Sequence, residues 1–190
     1  MKRSLALLLT GILATCAFAQ SNDPSTGAHL ASQSAADSIR KEAGSDGAFL
    51  AAGYVNPSYD PNNLASLLQF PAEKIVVLNL TGSDIRAALQ RSASLYPESN
   101  TSFLQLSGIS VEFRGSGPAA GRILNVAVGG APLELSKTYT IAMPAGLAEG
   151  ALGYFKIWDK SKIAKTLDVT VEKALAGKPY LPTAPRWVLR

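Results

Sequence analysis

Phe103-Leu104-Gln105-Leu106-Ser107-Gly108 reads as an apolar run interrupted by one amide and closed by a Ser-Gly turn. Beyond it, Ile109, Val111 and Phe113 alternate with Ser110, Glu112 and Arg114, the period-two pattern of a strand with one buried face. Gly115-Ser116-Gly117-Pro118 and Gly121 form a long turn, and residues 122–128 make a further strand. Gly129-Gly130 closes a tight hairpin, and residues 133–135 and 138–142 complete a meander.

Upstream, Leu30, Ala35, Ile39 and Ala43 recur near helical spacing, with Gly44 as a C-terminal cap, so a helix is expected over 29–43. Residues 48–51 read as a short buried strand. Residues 53–62, with Gly53, Asn56, Pro57, Asp60, Pro61 and Asn62, form a loop. Asn63 is placed to cap a short helix through Leu68, which Phe70-Pro71 ends. An Ile/Val-rich strand spans 74–80. Thr81 and Asp84 have capping-box spacing before a helix with Ile85, Ala88, Leu89, Ser92 and Leu95 on one face, stopped by Pro97.

Downstream, residues 143–153 form a second Gly/Ala/Pro-rich loop, and residues 154–158 read as a short strand. A helix is expected over 168–176, with Gly177 behind it, and a proline-rich tail ends extended at 187–190.

Lys2 and Arg3, the apolar run 5–13 and Ala17-Phe18-Ala19 have the layout of a secretory signal peptide at 1–19, cleaved before Gln20. A lipoprotein reading through Cys16 is disfavoured by Thr15 before it. Export to the periplasm or outside the cell is therefore expected, with a flexible lead-in at 20–27 and one domain at 28–190. Cleavage would remove the only cysteine, so no disulfide would support the domain. Apolar residues make up 47% of the chain, enough for a real core and against wholesale disorder. The formal charge of +4 includes Lys2 and Arg3, and the remaining basic residues are scattered, which argues against a nucleic-acid partner. Beyond the leader, no window has the length of a membrane span.

The residue chemistry argues against an enzyme acting alone. The one histidine, His29, lies near the expected mature N-terminus and reads as a solvated surface residue. No zinc-ligand spacing, G-x-S-x-G elbow or phosphate-binding glycine loop occurs, so neither a metal nor another cofactor is expected. Tyr54 and Tyr59 flank the first loop, while Tyr154, Phe155 and Trp158 follow the second. They suit either a stacking platform for a flat ligand or, the reading we favour, core aromatics beneath long loops.

The run FLQLSG at 103–108 resembles the F-L-Q-V/I-S-G signature of the C-terminal domain of secreted 5'-nucleotidases and related UDP-sugar and cyclic-nucleotide hydrolases. Gly121-Arg122-Ile123 matches their G-x-R-V/I, Gly130-Ala131-Pro132-Leu133 their G-x-P-L, and Lys137-Thr138-Tyr139-Thr140-Ile141-Ala142 their K-x-Y-T-V/I-A. Residues 76–85 resemble the family's strand–helix junction, and Ala36-Asp37-Ser38-Ile39-Arg40 its A-D-A-L/M-R helix. The resemblance runs over about residues 28–190. It implies an α+β fold, a mixed sheet with packed helices. It also implies a role in nucleotide catabolism, because in these enzymes this domain binds the nucleoside while a separate dinuclear metallophosphatase domain performs hydrolysis.

The ligand positions depart from the family pattern. In place of N-A/G-G-G-I-R the chain has Ala51 to Asn56, so Ala51 replaces the Asn and Asn56 the Arg. Pro71 replaces one stacking Phe, Gly146 the other, and Leu152 the loop's Asp. Losing the Arg removes a bidentate charged donor, and each lost stacking face costs ~1–3 kcal/mol. The ligand-pocket-equivalent positions are Tyr54, Asn56, Phe70, Gly146 and Tyr154, with Phe70 and Tyr54 placed to substitute as stackers. Catalytic residues are expected to be none. The expected function is that of an exported stand-alone domain, a pseudoenzyme serving a separately encoded metallophosphatase as accessory subunit. The alternative is a binding module for a nucleotide, nucleoside or other flat ligand.

Overall fold

A computed structural model describes residues 17–18, 20–181 and 183–190. The fold turns on Gly108. Strand β4 (Leu104–Ser107) belongs to one sheet and β5 (Ile109–Phe113) to another, and Gly108 alone separates them. Its φ of 69° is left-handed, and a Cβ there would collide with the Asp46 carbonyl oxygen, so glycine is required.

The first sheet has the order β4-β2-β8-β3-β9, with β2 (Gly47–Ala51), β3 (Lys74–Thr81), β8 (Thr138–Pro144) and β9 (Ile163–Thr170). It is mixed: β2 runs parallel to β8 and antiparallel to β4, while β3 is antiparallel to β8 and β9. The second sheet has the order β1-β10-β5-β6-β7, with β1 (Ala17–Phe18), β6 (Ile123–Val128), β7 (Ala131–Pro132) and β10 (Trp187–Leu189). Here the C-terminal β10 pairs parallel to β5, and Trp187 lies opposite Val111.

Helix α1 (Leu30–Ala43) packs on β2 and β4. It ends on Gly44 at φ 62°, the expected left-handed cap, whose N–H donates to the Arg40 and Lys41 carbonyls. Helix α2 (Gly82–Ser92) packs on β3 and β6. Its Thr81–Asp84 capping box is formed in both directions. Gly129 and Gly130 both take positive φ between Val128 and Ala131, as a two-residue primed hairpin turn demands. Four fully buried strand residues at 104–107 and five at 47–51 read as unbroken apolar or small runs because both their faces are covered. The arrangement is the α+β one expected, with mixed sheets and packed helices.

Several elements differ from expectation. Residues 163–170 form β9, so the helix expected from 168 begins only at Val171, as α4 (Val171–Leu175), with Thr170 Oγ1 accepting the Lys173 N–H. Residues 154–158 are not a strand: Ala151–Lys156 is a pair of 3-10 turns. The meander strand expected at 133–135 is the two-residue β7. Asn63 makes no side-chain cap on the 3-10 turn Leu64–Leu67. Leu95 lies past the end of α2 and is exposed.

The leader expected at 1–19 lies mostly outside the described residues. Of it, Ala17–Phe18 pairs antiparallel with Val188 and Leu189. The lead-in at 20–27 is tied to the body through Gln105, whose Nε2 donates to the Pro24 and Gly27 carbonyls, both at 2.8 Å. The Asn100 N–H adds a bond to the Ser25 carbonyl.

Candidate functional site

Three of the expected pocket positions meet at one end of the first sheet. Tyr54 sits in the 3-10 turn Ala52–Tyr54 directly after β2. Phe70 lies in the turn before β3, and its ring meets that of Tyr54 edge-on, with centroids 5.4 Å apart. Gly146 is in the short helix α3 (Ala145–Ala148) that follows β8. Its N–H donates to Glu73 Oε2 at 2.8 Å, which draws the start of β3 and the end of β8 together. The three segments are far apart in sequence, and the β2–β8 and β8–β3 pairings bring them together.

Gly146 explains how the tyrosine and the glutamate fit. A Cβ at this position would lie 2.6 Å from the Tyr54 hydroxyl and 3.0 Å from Glu73 Oε1. The phenol and the carboxylate therefore occupy the space that a side chain at position 146 would need. Tyr54 is only 6% exposed, whereas Phe70 is 50% exposed and borders an open recess with Gln69, Pro71, Ala72 and Glu73.

The electrostatics of the site are acidic. Burial raises the Glu73 carboxyl above its ordinary value, the Gly146 hydrogen bond opposes that shift, and the charge of Glu149 adds to it. Burial likewise raises the Tyr54 phenol, and Glu73 and Glu149 push it further, so Tyr54 stays protonated. Glu149 is itself paired with Lys160 at 3.2 Å.

The other two positions do not join this site. Asn56 is engaged by its own loop: Nδ2 donates to the Ser66 carbonyl at 3.3 Å and Oδ1 accepts the Ser58 N–H at 3.0 Å. Tyr154 is a core residue, with no exposed surface and a hydroxyl that donates to the Ser102 carbonyl at 2.6 Å. Its ring stacks on Trp158, centroids 4.6 Å apart, and Trp158 in turn stacks on Phe49. The core reading of these aromatics holds, except for Phe155, which is exposed.

Leu152, expected from the resemblance to replace a loop Asp, has a left-handed φ of 56°. Arg91 holds it there: Nε and Nη2 both donate to the Leu152 carbonyl while the guanidinium lies 5.4 Å above the Tyr154 ring. The Leu152 side chain fills the space beside Gly53. Neither Glu73 nor Arg91 stood out in the sequence. A lone carboxylate before a strand and an arginine on a helix face match many surface residues, and only their tertiary partners distinguish them.

His29 is also unlike its expected state. It is buried, its Nδ1 lies 2.7 Å from Ser32 Oγ, and its ring meets Tyr59 edge-on at 5.7 Å. Among the described residues, no group of three or more His, Cys, Asp or Glu side chains is gathered that could hold a metal ion. Among them also, no helix is long and apolar enough to cross a membrane.

Comparison with known proteins gives a consistent relationship. Residues 11–159 match the family described as 5'-nucleotidase, C-terminal domain. A 5'-nucleotidase of Diplobatis ommata is 32% identical over 107 residues, covering 52% of this chain and 18% of that protein. The Mus musculus 5'-nucleotidase is 31% identical over 106 residues, with the same two shares. Among solved structures, the 5'-nucleotidase precursor of Thermus thermophilus superimposes with a TM-score of 0.72 at 22% identity, over 85% of this chain and 35% of that one. The Haemophilus influenzae NAD nucleotidase gives 0.69 at 20%, over 87% and 33%. The matches thus span less than a fifth of the curated relatives' length and about a third of the solved chains. With most of its length matched to that one family, the chain belongs to the 5'-nucleotidase C-terminal domain family.

Proposed function

We propose that this protein is an exported, non-catalytic member of the family that serves nucleotide catabolism as an accessory or binding unit to a metallophosphatase supplied separately. The observation that carries the reading is Glu73. Its carboxylate takes the Gly146 N–H where the family pattern has a stacking side chain, and Asn56, in the Arg position, is spent on its own loop. With Asn56 in the Arg position no guanidinium is offered to a phosphate there, and the Glu73 carboxylate nearby adds negative charge that disfavours one. The domain reading keeps the leader at 1–19, the lead-in at 20–27 and the domain at 28–190.

The test is co-purification with exported metallophosphatases, followed by assay of their nucleotidase activity with and without this protein. A stable complex or an altered activity is expected. Neither complex nor effect overturns the accessory role. N-terminal sequencing of the exported protein should begin at Gln20, and an intact N-terminus overturns the leader.

A second reading is a binding module for a nucleotide, nucleoside or other flat ligand. The half-exposed Phe70 ring beside Tyr54 favours it. Calorimetry against AMP, adenosine and UDP-sugars tests it, and the absence of heat at millimolar ligand would sink it.

A further inference from the structure

We infer that Gln20, once the leader is cleaved, closes on itself to pyroglutamate, so that the exported chain starts with a neutral lactam in place of an α-ammonium group. This modification lies outside the accessory and binding readings and rests only on cleavage of the leader before Gln20.

The chemistry is complete within one residue. The α-nitrogen of Gln20 attacks Cδ of its own side-chain amide. The N–Cδ bond forms as the Cδ–Nε2 bond breaks, and Nε2 leaves as ammonia with the proton that the α-nitrogen gives up. No oxidant or second reactant enters. The ring that forms has five members, and a nucleophile tethered to its own acyl carbon needs no encounter step. An ordinary α-amino group, with a pKa of about 7.7–8.0, is partly unprotonated near neutral pH, so the nucleophile is present.

The fold leaves both reacting groups available. Gln20 is exposed, and among the described residues no hydrogen bond engages its side-chain amide or its backbone nitrogen. The anchoring bond is one residue on, where the Ser21 N–H donates to the Ala28 carbonyl at 2.9 Å. Gln20 thereby pairs with Ala28 in an isolated parallel bridge. It lies against the body, bordering a recess with His29, Tyr59 and Tyr180, while its own reacting atoms stay unrestrained.

What the ring protects is the segment behind it. Residues 20–28 are built into the fold. Ser21 Oγ lies 2.7 Å from Thr26 Oγ1, Ser25 Oγ lies 2.7 Å from Ser99 Oγ, and the Pro24 and Gly27 carbonyls hold the buried Gln105 amide. An aminopeptidase removes residues one at a time and requires a free α-amine. Trimming would reach Ser21 after a single cut and then unpick these bonds in turn. A lactam offers no such amine.

The test is mass spectrometry of the exported full chain, quenched in acid at harvest, alongside Gln20→Asn. Asparagine carries its amide one methylene nearer the backbone, where the same attack would need a strained four-membered ring. Peptide mass spectrometry reads the first residue whether or not it is capped. The parent is expected to begin at residue 20 and to be lighter than the uncyclised peptide by one ammonia, about 17 Da. Gln20→Asn is expected to begin at residue 20 with its full mass. Gln20 at full mass overturns the cap and leaves the leader reading standing, whereas a first residue other than Gln20 overturns both. Aminopeptidase digestion then tests what the cap does. Residues should be lost from Gln20→Asn and not from the parent, and removal of the ring by a pyroglutamyl peptidase should restore trimming of the parent. Equal resistance of the two proteins would show that the fold alone guards the segment and would overturn the protective role.

Discussion

Gln105 shows what the amide in an otherwise apolar run is for. It is fully buried, and its side chain satisfies three backbone groups of the N-terminal segment: the Pro24 and Gly27 carbonyls and the His29 N–H, the last at 2.9 Å. Gln105→Leu keeps the volume and strands all three. At ~1–3 kcal/mol for each buried group left unpaired, and with water able to reach part of the segment, the expected loss is about 3 kcal/mol in urea unfolding. A loss below about 1 kcal/mol would show that the lead-in contributes little to the fold. His29 adds a pH dependence at the same seam. Burial lowers its pKa from the ordinary 6.5, against the opposing charge of Asp23. The folded state therefore holds the neutral ring, and the unfolded chain binds a proton more readily. This contribution is complete above pH 6.5 and is lost as the pH falls from there through the lower folded-state value. In His29→Asn, which keeps a polar atom toward Ser32, the melting temperature should fall less steeply over that interval than in the parent. Parallel curves would remove His29 as the cause.

At the scale of elements, local chemistry marks some boundaries and leaves others unmarked. The start of α2 is legible because its cap is local: Asp84 Oδ2 accepts the Thr81 N–H at 2.9 Å while Thr81 Oγ1 accepts the Asp84 N–H at 3.2 Å. Lys162, from the turn before β9, adds a bond to the same carboxylate oxygen at 2.6 Å. Thr81→Ala removes half of the box and should cost about 1 kcal/mol, read from the shift in the urea midpoint. An unchanged midpoint would mean that the Lys162 contact alone holds the turn. Strand β9 was not legible. It is a sheet edge with only half-buried Ile163, Leu167 and Val169, and Asp168 lies next to residues with good helical spacing. A one-sided edge strand carries a weak alternation, and the true cap, Thr170, sits two residues after Asp168. The site was legible only as separate positions. Tyr54, Phe70 and Gly146 follow from comparison with a family pattern. The Glu73–Gly146 bond that organises them joins residues 73 positions apart, and no local period encodes it.

Across the whole molecule, the run at 103–108 is where both sheets, the first helix and both ends of the chain are joined. Gly108 passes the chain from one sheet to the other, and Ser107 donates to Asp37 at 2.5 Å and accepts from Arg40 at 2.9 Å. The C-terminal segment locks onto the same run. Arg186 Nη2 donates to both carboxylate oxygens of Asp37 at 2.8 Å and Nη1 to the Leu106 carbonyl, while Trp187 Nε1 donates to the Leu104 carbonyl at 2.9 Å. The Trp187 ring then packs between Phe103, centroids 4.8 Å apart, and Phe113 at 5.3 Å, so it spans both sheets. Trp187, in the C-terminal strand, is therefore part of the core. Trp187→Ala opens a cavity at that junction and strands the Leu104 carbonyl. A buried Trp-to-Ala change costs ~3–5 kcal/mol, a large share of the ~5–15 kcal/mol that holds a domain folded. Trp187→Phe keeps most of the ring contact and loses the hydrogen bond, so it should cost about 1–2 kcal/mol. The other tryptophan, Trp158, stacked between Tyr154 and Phe49 in the first sheet's core, remains as a fluorescent probe. If the two sheets form one cooperative unit through this junction, Trp158 emission and backbone circular dichroism should shift together to lower urea in both variants. A Trp158 transition that stays at the parental midpoint in Trp187→Ala would show instead that the first sheet unfolds independently of the C-terminal strand.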